Sequence, residues 1–504
     1  MSSLGKNVSA NLLSNAWSTV LLLLLTPVYI QVLGVESYGL IGLFQTWLAL
    51  LAILDTGISA TAGRELAWRT HRDGERETIP SLLWSLEVVY WAIVLLIGLA
   101  VLAGAWVFGA TWLGASALSP AVIRAALMLM AIALIVQTPS GLYIGGLMGL
   151  QRQVECSGLL ALFGTLRGLG ALAVLWAVAP DIRAFFVWQI VTSVAQALVL
   201  RWALWRRLSS VQGAPRAFSA PALHTIRAFA GGMLLISALG ALLGQLDKLI
   251  LSRLVSLEAF GFYMLGWAVA SGLSRIATPL IQAFGPRFTE LISREAWTAL
   301  GSSVRVASQL MAVLILPPAA TLAFLARPVL AVWTGNAAAA AATAPILSIV
   351  VIGTALTACS YPALSLLYSR KQLTPVIAVN AACVCLLVPA LILSIRRYGT
   401  VGAAGCWMVY GVIVYVAYQA FGLRGVVGAG FVTVVLRDFA VPAIVSVAVA
   451  AASAYWLAEV ANKIAFVILL GLSVVVAWGL ALFACRDLSA TVLDRVRWKP
   501  QLSL

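Results

Sequence analysis

Helix-length apolar runs follow one another along almost the entire chain, separated by short polar turns, and this succession restricts the fold more than any motif does. Of the 504 residues, 62% are hydrophobic and 10% charged, against about 25% charged in soluble domains. A chain so poor in polar side chains cannot cover a water-facing surface. In a bilayer every backbone amide must be satisfied within the protein, so spans are helices or strands of a closed barrel. These runs have the length of spanning helices, about 20 residues for a hydrocarbon core, and they lack period-two alternation. The expected class is an all-α polytopic membrane protein of about fourteen transmembrane helices, at 10–33, 38–62, 80–106, 121–148, 154–179, 184–205, 226–247, 258–284, 303–326, 344–369, 373–395, 400–422, 438–458 and 463–485.

Charge supports this reading. Lys and Arg outnumber Asp and Glu by 32 to 17, a net charge of +15. In a soluble protein that excess would suggest nucleic acid; in a membrane chain it follows from basic loops retained in the cytoplasm, and no nucleic-acid partner is expected. Alternating the connections between two sides puts 22 basic residues on one side and 8 on the other, with Arg167 and Arg275 inside spans. Both termini are therefore expected in the cytoplasm. The six cysteines fall in apolar segments without a CxxC pair, so they read as small packing residues. Lys6 precedes an apolar run too long for a signal peptide and without a small-residue cleavage site, which reads as an uncleaved first span.

The stretch 32–62 joins two apolar runs through Gly34-Val35-Glu36-Ser37, and a weaker copy occupies 254–281. At a shift of 222 residues Glu36 falls on Glu258, Tyr38 on Phe260 and Gly39 on Gly261. Secondary transporters are commonly built from such repeats. The longest polar connection, about 206–221, falls after six spans. The expected organisation is a six-helix lobe over 1–212, a second six-helix lobe over 213–423, and two additional helices with a cytoplasmic tail over 424–504. The alanine run 337–342 reads as the mouth of the tenth span.

An ionisable residue inside a span costs about 2.5–3.5 kcal/mol on insertion scales, so it normally faces a cavity or a partner. Arg275 and Arg167 both fall near mid-membrane, one in each expected lobe. A guanidinium, always charged and carrying five donors, suits a diphosphate or carboxylate, which makes these two the candidate cavity residues. The other reading pairs each with an acid on a neighbouring helix. Asp55 and Glu87 are the candidates for proton or sodium coupling, against a structural ion pair. Asp247, Lys248 and Arg253 stand at the outer end of the seventh span as candidate exit-side charges, against a solvated helix end. Trp17, Tyr90, Trp91, Trp176, Trp188 and Trp267 sit deep enough in spans to be candidates for stacking on sugar rings.

No GxxxxGK[ST] loop is present, and the two histidines, His71 and His224, fall in expected loops without an HExxH or other metal pattern. No metal, cofactor or catalytic residue is expected. The outward connections are too short for the outer domain that a lipid-linked glycosyltransferase or a polysaccharide polymerase would need, so no enzyme reading survives.

NLLSNAW at Asn11–Trp17, TPVYIQVLGVESYGLIGLFQ at 26–45 and LLAILDTGISATAGRELA at 50–67 resemble the N-terminus of bacterial polysaccharide flippases of the Wzx type. LDKLILSRLVSLEAFGFY at 246–263 is similar to the corresponding start of their second half. These proteins belong to the multidrug/oligosaccharidyl-lipid/polysaccharide (MOP) exporter superfamily. The resemblance implies two pseudo-symmetric six-helix lobes around a cationic central cavity, with two added C-terminal helices. It implies transfer of an undecaprenyl-diphosphate-linked oligosaccharide across the bacterial inner membrane for O-antigen, exopolysaccharide or capsule synthesis. The partners it implies are that lipid-linked oligosaccharide and membrane lipid, with a polysaccharide polymerase and chain-length proteins as candidate protein partners. A cation-coupled multidrug exporter of the same superfamily is the alternative, and a scaffold in an envelope-synthesis complex is a third reading.

Overall fold

The computed structural model describes residues 3–70, 72, 75–208, 217–424, 435–457, 460 and 462–485. His71, the 209–216 part of the longest connection, the tail after residue 485 and the side chain of Asp55 lie outside the described residues. Since lipid offers the backbone no hydrogen bonds, the apolar runs satisfy their amides internally. The described residues accordingly form helices and no strand, with one isolated bridge between Gly114 and Ser256. Twelve helical stretches among them are long and apolar enough to cross a membrane. The protein is a multi-pass, all-helical membrane protein.

The chain divides into two compact units, Met1–Gly261 and Phe262–Leu504. The first contains α1 (Ser3–Leu33), α2 (Val35–Thr70), α3 (Ile79–Trp112), α4 (Pro120–Gln137), α5 (Ser140–Gly149), α6 (Gln153–Ala177), α7 (Ile182–Leu208) and α8 (Ala220–Leu254). Here α1 packs on α6, α2 on α5 and α8, α3 on α4, and α7 on α4 and α6. Its core gathers Leu66, Leu82, Tyr90, Tyr143, Leu147 and Leu204. The long α9 (Leu257–Ser293) begins in the first unit and continues into the second. The second unit holds α10 (Trp297–Phe324), α11 (Ala326–Thr334), α12 (Ala337–Ser369), α13 (Leu373–Gly422), α14 (Val441–Leu457) and α15 (Lys463–Ala484). There α12 packs on α10, α11 and α13, and α14 on α10 and α15.

Several helix boundaries differ from the sequence reading, each for a local reason. The expected span 121–148 is split at Thr138-Pro139 into α4 and α5, because proline supplies no amide to continue the ladder. The expected spans 373–395 and 400–422 run on as α13, interrupted by Gly399 at φ 58°, ψ −138°. The alanine run forms the first turns of α12, capped by the Asn336 side chain, which accepts from the Ala339 amide at 3.0 Å. His224 lies on α8 and is exposed, not in a loop. All six cysteines are free, four of them buried, whereas Cys385 is exposed and packs nothing away from the surface.

The repeat identified in sequence marks a close crossing. A Cβ placed on Gly39 would stand 2.7 Å from the Leu257 carbonyl oxygen, and one on Gly261 would collide with the Val35 carbonyl oxygen. Positions 35 and 257 are related by the same 222-residue shift as 39 and 261, so the starts of α2 and α9 meet in a two-fold-like arrangement that only glycine permits. Beside it, the Glu36 carboxylate accepts from the Ser116 amide (2.7 Å) and hydroxyl (2.9 Å) and from the Ala117 (3.0 Å) and Leu118 (2.9 Å) amides. The Leu257 amide donates to the Gly114 carbonyl at 2.7 Å. The α3–α4 loop thus ties both turns together. Glu258, the repeat partner of Glu36, is exposed, so the symmetry of sequence is not a symmetry of contacts.

Candidate functional site

Arg167 projects from α6 into a band of polar side chains in the first unit. Its guanidinium donates to Gln196 Oε1 at 2.5 Å and to Ser193 Oγ at 3.5 Å. Ser193 in turn donates to Gln137 Oε1 at 3.3 Å. The supporting stripe arises on α7, where Gln189, Ser193 and Gln196 recur at helical spacing and are all buried. The flanking residues of α6 are pinned from both sides. Trp17 Nε1 donates to Thr165 Oγ1 at 2.8 Å, Trp188 Nε1 to the Leu166 carbonyl at 2.9 Å, and the Tyr29 hydroxyl to the Gly168 carbonyl at 2.8 Å.

No ion pair among the described residues engages Arg167. Its Nε is buried with no hydrogen-bond partner. A buried cation normally has a counter-ion or full hydrogen bonding, because desolvation is otherwise uncompensated. Neutral amide and hydroxyl partners hold the guanidinium in place without cancelling its charge. The site therefore has one fixed positive charge and one idle donor, an arrangement suited to an anionic group.

Glu87 sits in a different setting. Its carboxylate accepts from Arg201 Nε, from the Tyr143 hydroxyl at 2.7 Å and from Trp205 Nε1 at 3.3 Å, and Trp91 Nε1 donates to Tyr143 at 3.3 Å. The acid expected as a coupling candidate is held in an ion pair, because α7 brings Arg201 against α3. Tyr90, a candidate for sugar stacking in the sequence reading, is fully buried and donates to the Thr138 carbonyl at 3.1 Å, so it offers no open ring face. Trp176 is exposed.

The trio Asp247, Lys248 and Arg253 does not form one exposed cluster. Lys248 is only 1% exposed and donates to both Asp247 carboxylate oxygens, at 3.0 and 3.1 Å, and to the Gly244 carbonyl at 2.9 Å. The reason is that α8 continues past them to Leu254 and packs along α2, which covers the pair. Arg253 stands apart, exposed, with its guanidinium carbon 5.8 Å from the Trp112 ring centre. Arg275 lies on α9 within the second unit, and its side chain is exposed. Asp55 lies on α2.

The residues that build the Arg167 and Glu87 stations, namely Gln137, Tyr143, Ser193, Gln196 and Arg201, were not singled out in sequence. The Gln189-Ser193-Gln196 spacing inside an apolar span was the available signal for the first. Arg201 gave none, because it counts equally well as a basic residue of a cytoplasmic connection.

Residues 4–292 match the family described as polysaccharide biosynthesis protein. Three solved structures share the fold. A lipid II flippase, MurJ, in an inward closed conformation has a TM-score of 0.68 and 14% identity, covering 96% of this chain and 99% of that one. A multidrug resistance MATE family transporter of the MOP superfamily, in an inward-facing conformation, has a TM-score of 0.67 and 13% identity over 81% of this chain and 93% of that one. A MOP superfamily transporter from Pyrococcus furiosus has a TM-score of 0.61 and 14% identity over 83% and 94%. No curated protein matches the chain.

Proposed function

We propose, for a chain that belongs to the polysaccharide biosynthesis protein family and has the fold of MOP superfamily transporters, that it is a flippase. Its cargo is an undecaprenyl-diphosphate-linked oligosaccharide, moved from the cytoplasmic to the periplasmic leaflet of a bacterial inner membrane. The observation that carries this reading is Arg167, a half-buried guanidinium held by neutral partners, whose Nε is buried and left as an idle donor. A diphosphate supplies the counter-charge that the protein itself withholds. A cationic drug would meet repulsion there, so the multidrug alternative is disfavoured at this position.

In this reading the protein makes fourteen crossings: the twelve helical stretches, with α13 counted twice at Gly399 and α8 added. They are arranged as lobes 1–212 and 213–423 with a further pair over 424–504, and both termini face the cytoplasm, as the 22-to-8 basic bias requires. The diphosphate head binds while the cavity faces inward, the polyprenyl tail stays in lipid, and the lobes then rock to release the head outward. Arg275 is the second cationic position met by the head, and Arg253 a charge near the exit. Glu87 serves structure, through Arg201, and Asp55 remains the acid proposed for ion coupling. The chain performs no bond chemistry of its own.

Complementation tests the reading. A strain lacking its O-antigen flippase should regain surface polysaccharide on expression of this protein, and Arg167→Ala at equal protein level should not restore it. Full restoration by Arg167→Ala contradicts the cargo assignment.

A further inference from the structure

A recess of about 450 Å³ opens on the second unit where α12 turns into α13. Arg370, Lys371, Gln372 and Thr374 line it from that turn, and Phe421 and Arg424 line it from the other end of α13. The two ends meet because α13 is broken at Gly399 and comes back. Arg370 closes the junction: its Nη1 donates to the Arg424 carbonyl at 3.0 Å and to the Gly422 carbonyl at 3.4 Å. Since α12 and α13 are both long and apolar enough to cross a membrane, the recess lies where helices leave the bilayer, whichever way the chain is inserted. None of these residues belongs to the Arg167 or Glu87 stations.

Three basic side chains share this recess, and no acid answers them. Every charged residue from 296 to 437 is basic, and no ion pair among the described residues engages Arg370, Lys371 or Arg424. Arg370 is held by neutral carbonyls, which fix its position without cancelling its charge. Arg424 sets its guanidinium carbon 5.3 Å from the Phe421 ring centre, a contact through the guanidinium face that leaves its N–H edge for an acceptor. Retention of basic loops in the cytoplasm accounts for how many charges stand on one side. It does not account for residues 370 and 371 converging with residue 424 on one recess. Like charges brought together repel, and an anion between them offsets that repulsion.

The surroundings decide what kind of anion fits. Leu373 and Ile377, 41% and 48% exposed, stand four residues apart and share one face of α13 with the exposed Ala381. An apolar stripe therefore runs from the edge of the recess along the first arm of α13. A soluble anion would fill the recess and leave the stripe unused, whereas a phospholipid fills both. Guanidinium and ammonium donors match phosphate oxygens, and basic pockets between membrane helices take anionic headgroups. A zwitterionic headgroup would bring its own cation against three others. We propose that Arg370, Lys371 and Arg424 form a headgroup site for an anionic phospholipid of the phosphatidylglycerol type, with an acyl chain lying along Leu373 and Ile377. The inference is independent of the cargo, because it uses no residue that the flippase reading needs.

Lipid titration of the purified full-length protein, read by native mass spectrometry, tests it. Wild type should retain phosphatidylglycerol roughly tenfold more tightly than phosphatidylcholine of the same chain length. Lys371→Gln combined with Arg424→Gln should lower that affinity by roughly thirtyfold, since each basic residue near an anionic headgroup contributes about a factor of five. Arg396→Gln combined with Arg397→Gln removes the same charge beside Gly399, away from the recess, and should leave the affinity unchanged. All four side chains are exposed, and Arg370 stays in place to keep the junction closed. Glycerol phosphate should not displace the lipid; displacement by it overturns the lipid assignment in favour of a soluble phosphate ester. Equal retention of the two lipids, or an equal loss in both double variants, overturns the site and leaves these basic residues to topology alone.

Discussion

Arg167 and Arg201 lie on neighbouring helices, yet their partners give them opposite roles. Arg201 meets an acid: together with Tyr143 and Trp205 it satisfies Glu87. Removing one partner of a buried ion pair strands the other charge and costs about 3–5 kcal/mol. Because the Arg201 side chain is 38% exposed, solvent screens part of that, and Arg201→Ala should destabilise by roughly 2–3 kcal/mol. Thermal unfolding in micelles measures this, and adding Glu87→Gln should recover much of the loss. Arg167 meets only neutral oxygens, so its removal should cost transport more than stability. A hydrogen bond to a charged group contributes about 1.5–3 kcal/mol. Arg167→Ala should therefore reduce polysaccharide export by roughly ten- to a hundredfold, with Arg167→Lys intermediate because it keeps charge but loses the fork. Export by quantitative surface labelling at matched expression separates the three proteins.

Among the elements, the α2 and α9 starts carry the most specific geometry. Gly39 and Gly261 let the two backbones touch, and the α3–α4 loop clasps them through Glu36. A side chain at either glycine cannot be accommodated without separating the helices. Gly39→Val should accordingly shift the population away from this closed crossing. In a cysteine-free background, a cysteine at the buried Ser37 should react several-fold faster with an impermeant periplasmic maleimide once Gly39→Val is introduced. An unchanged rate would show that the crossing does not open. The repeat that marks this crossing was legible in sequence, since Gly39 and Gly261 align at the 222-residue shift. The clasp was not: nothing in Ser116-Ala117-Leu118 announces that its amides will point at a carboxylate eighty residues earlier. The fate of Asp247 and Lys248 was hidden for the same reason, because sequence gives depth along α8 but not the packing of α2 over it.

At the scale of the whole molecule, the class of the protein follows from hydropathy and charge with little ambiguity, because lipid admits only helices or closed barrels and these helix-length runs lack the period-two alternation of a barrel. Helix boundaries depend on single residues, and there Pro139 and Gly399 decided what the runs alone did not. Reporter fusions after residues 72, 152, 217 and 371 should all report the cytoplasm, and fusions after 116 and 181 the periplasm; an inverted signal at any of these would break the fourteen-crossing topology. The candidate site was legible as far as Arg167, since a mid-span arginine is costly wherever it points. Whether it faces an acid or an amide is a tertiary property, set by which stripe of α7 turns inward. The most direct measurement is therefore the flipping rate of a polyprenyl-diphosphate oligosaccharide in proteoliposomes holding wild-type protein or Arg167→Ala. The account predicts protein-dependent flipping that falls at least tenfold in the variant. Equal rates for the two proteins, or no flipping above empty liposomes, would contradict it.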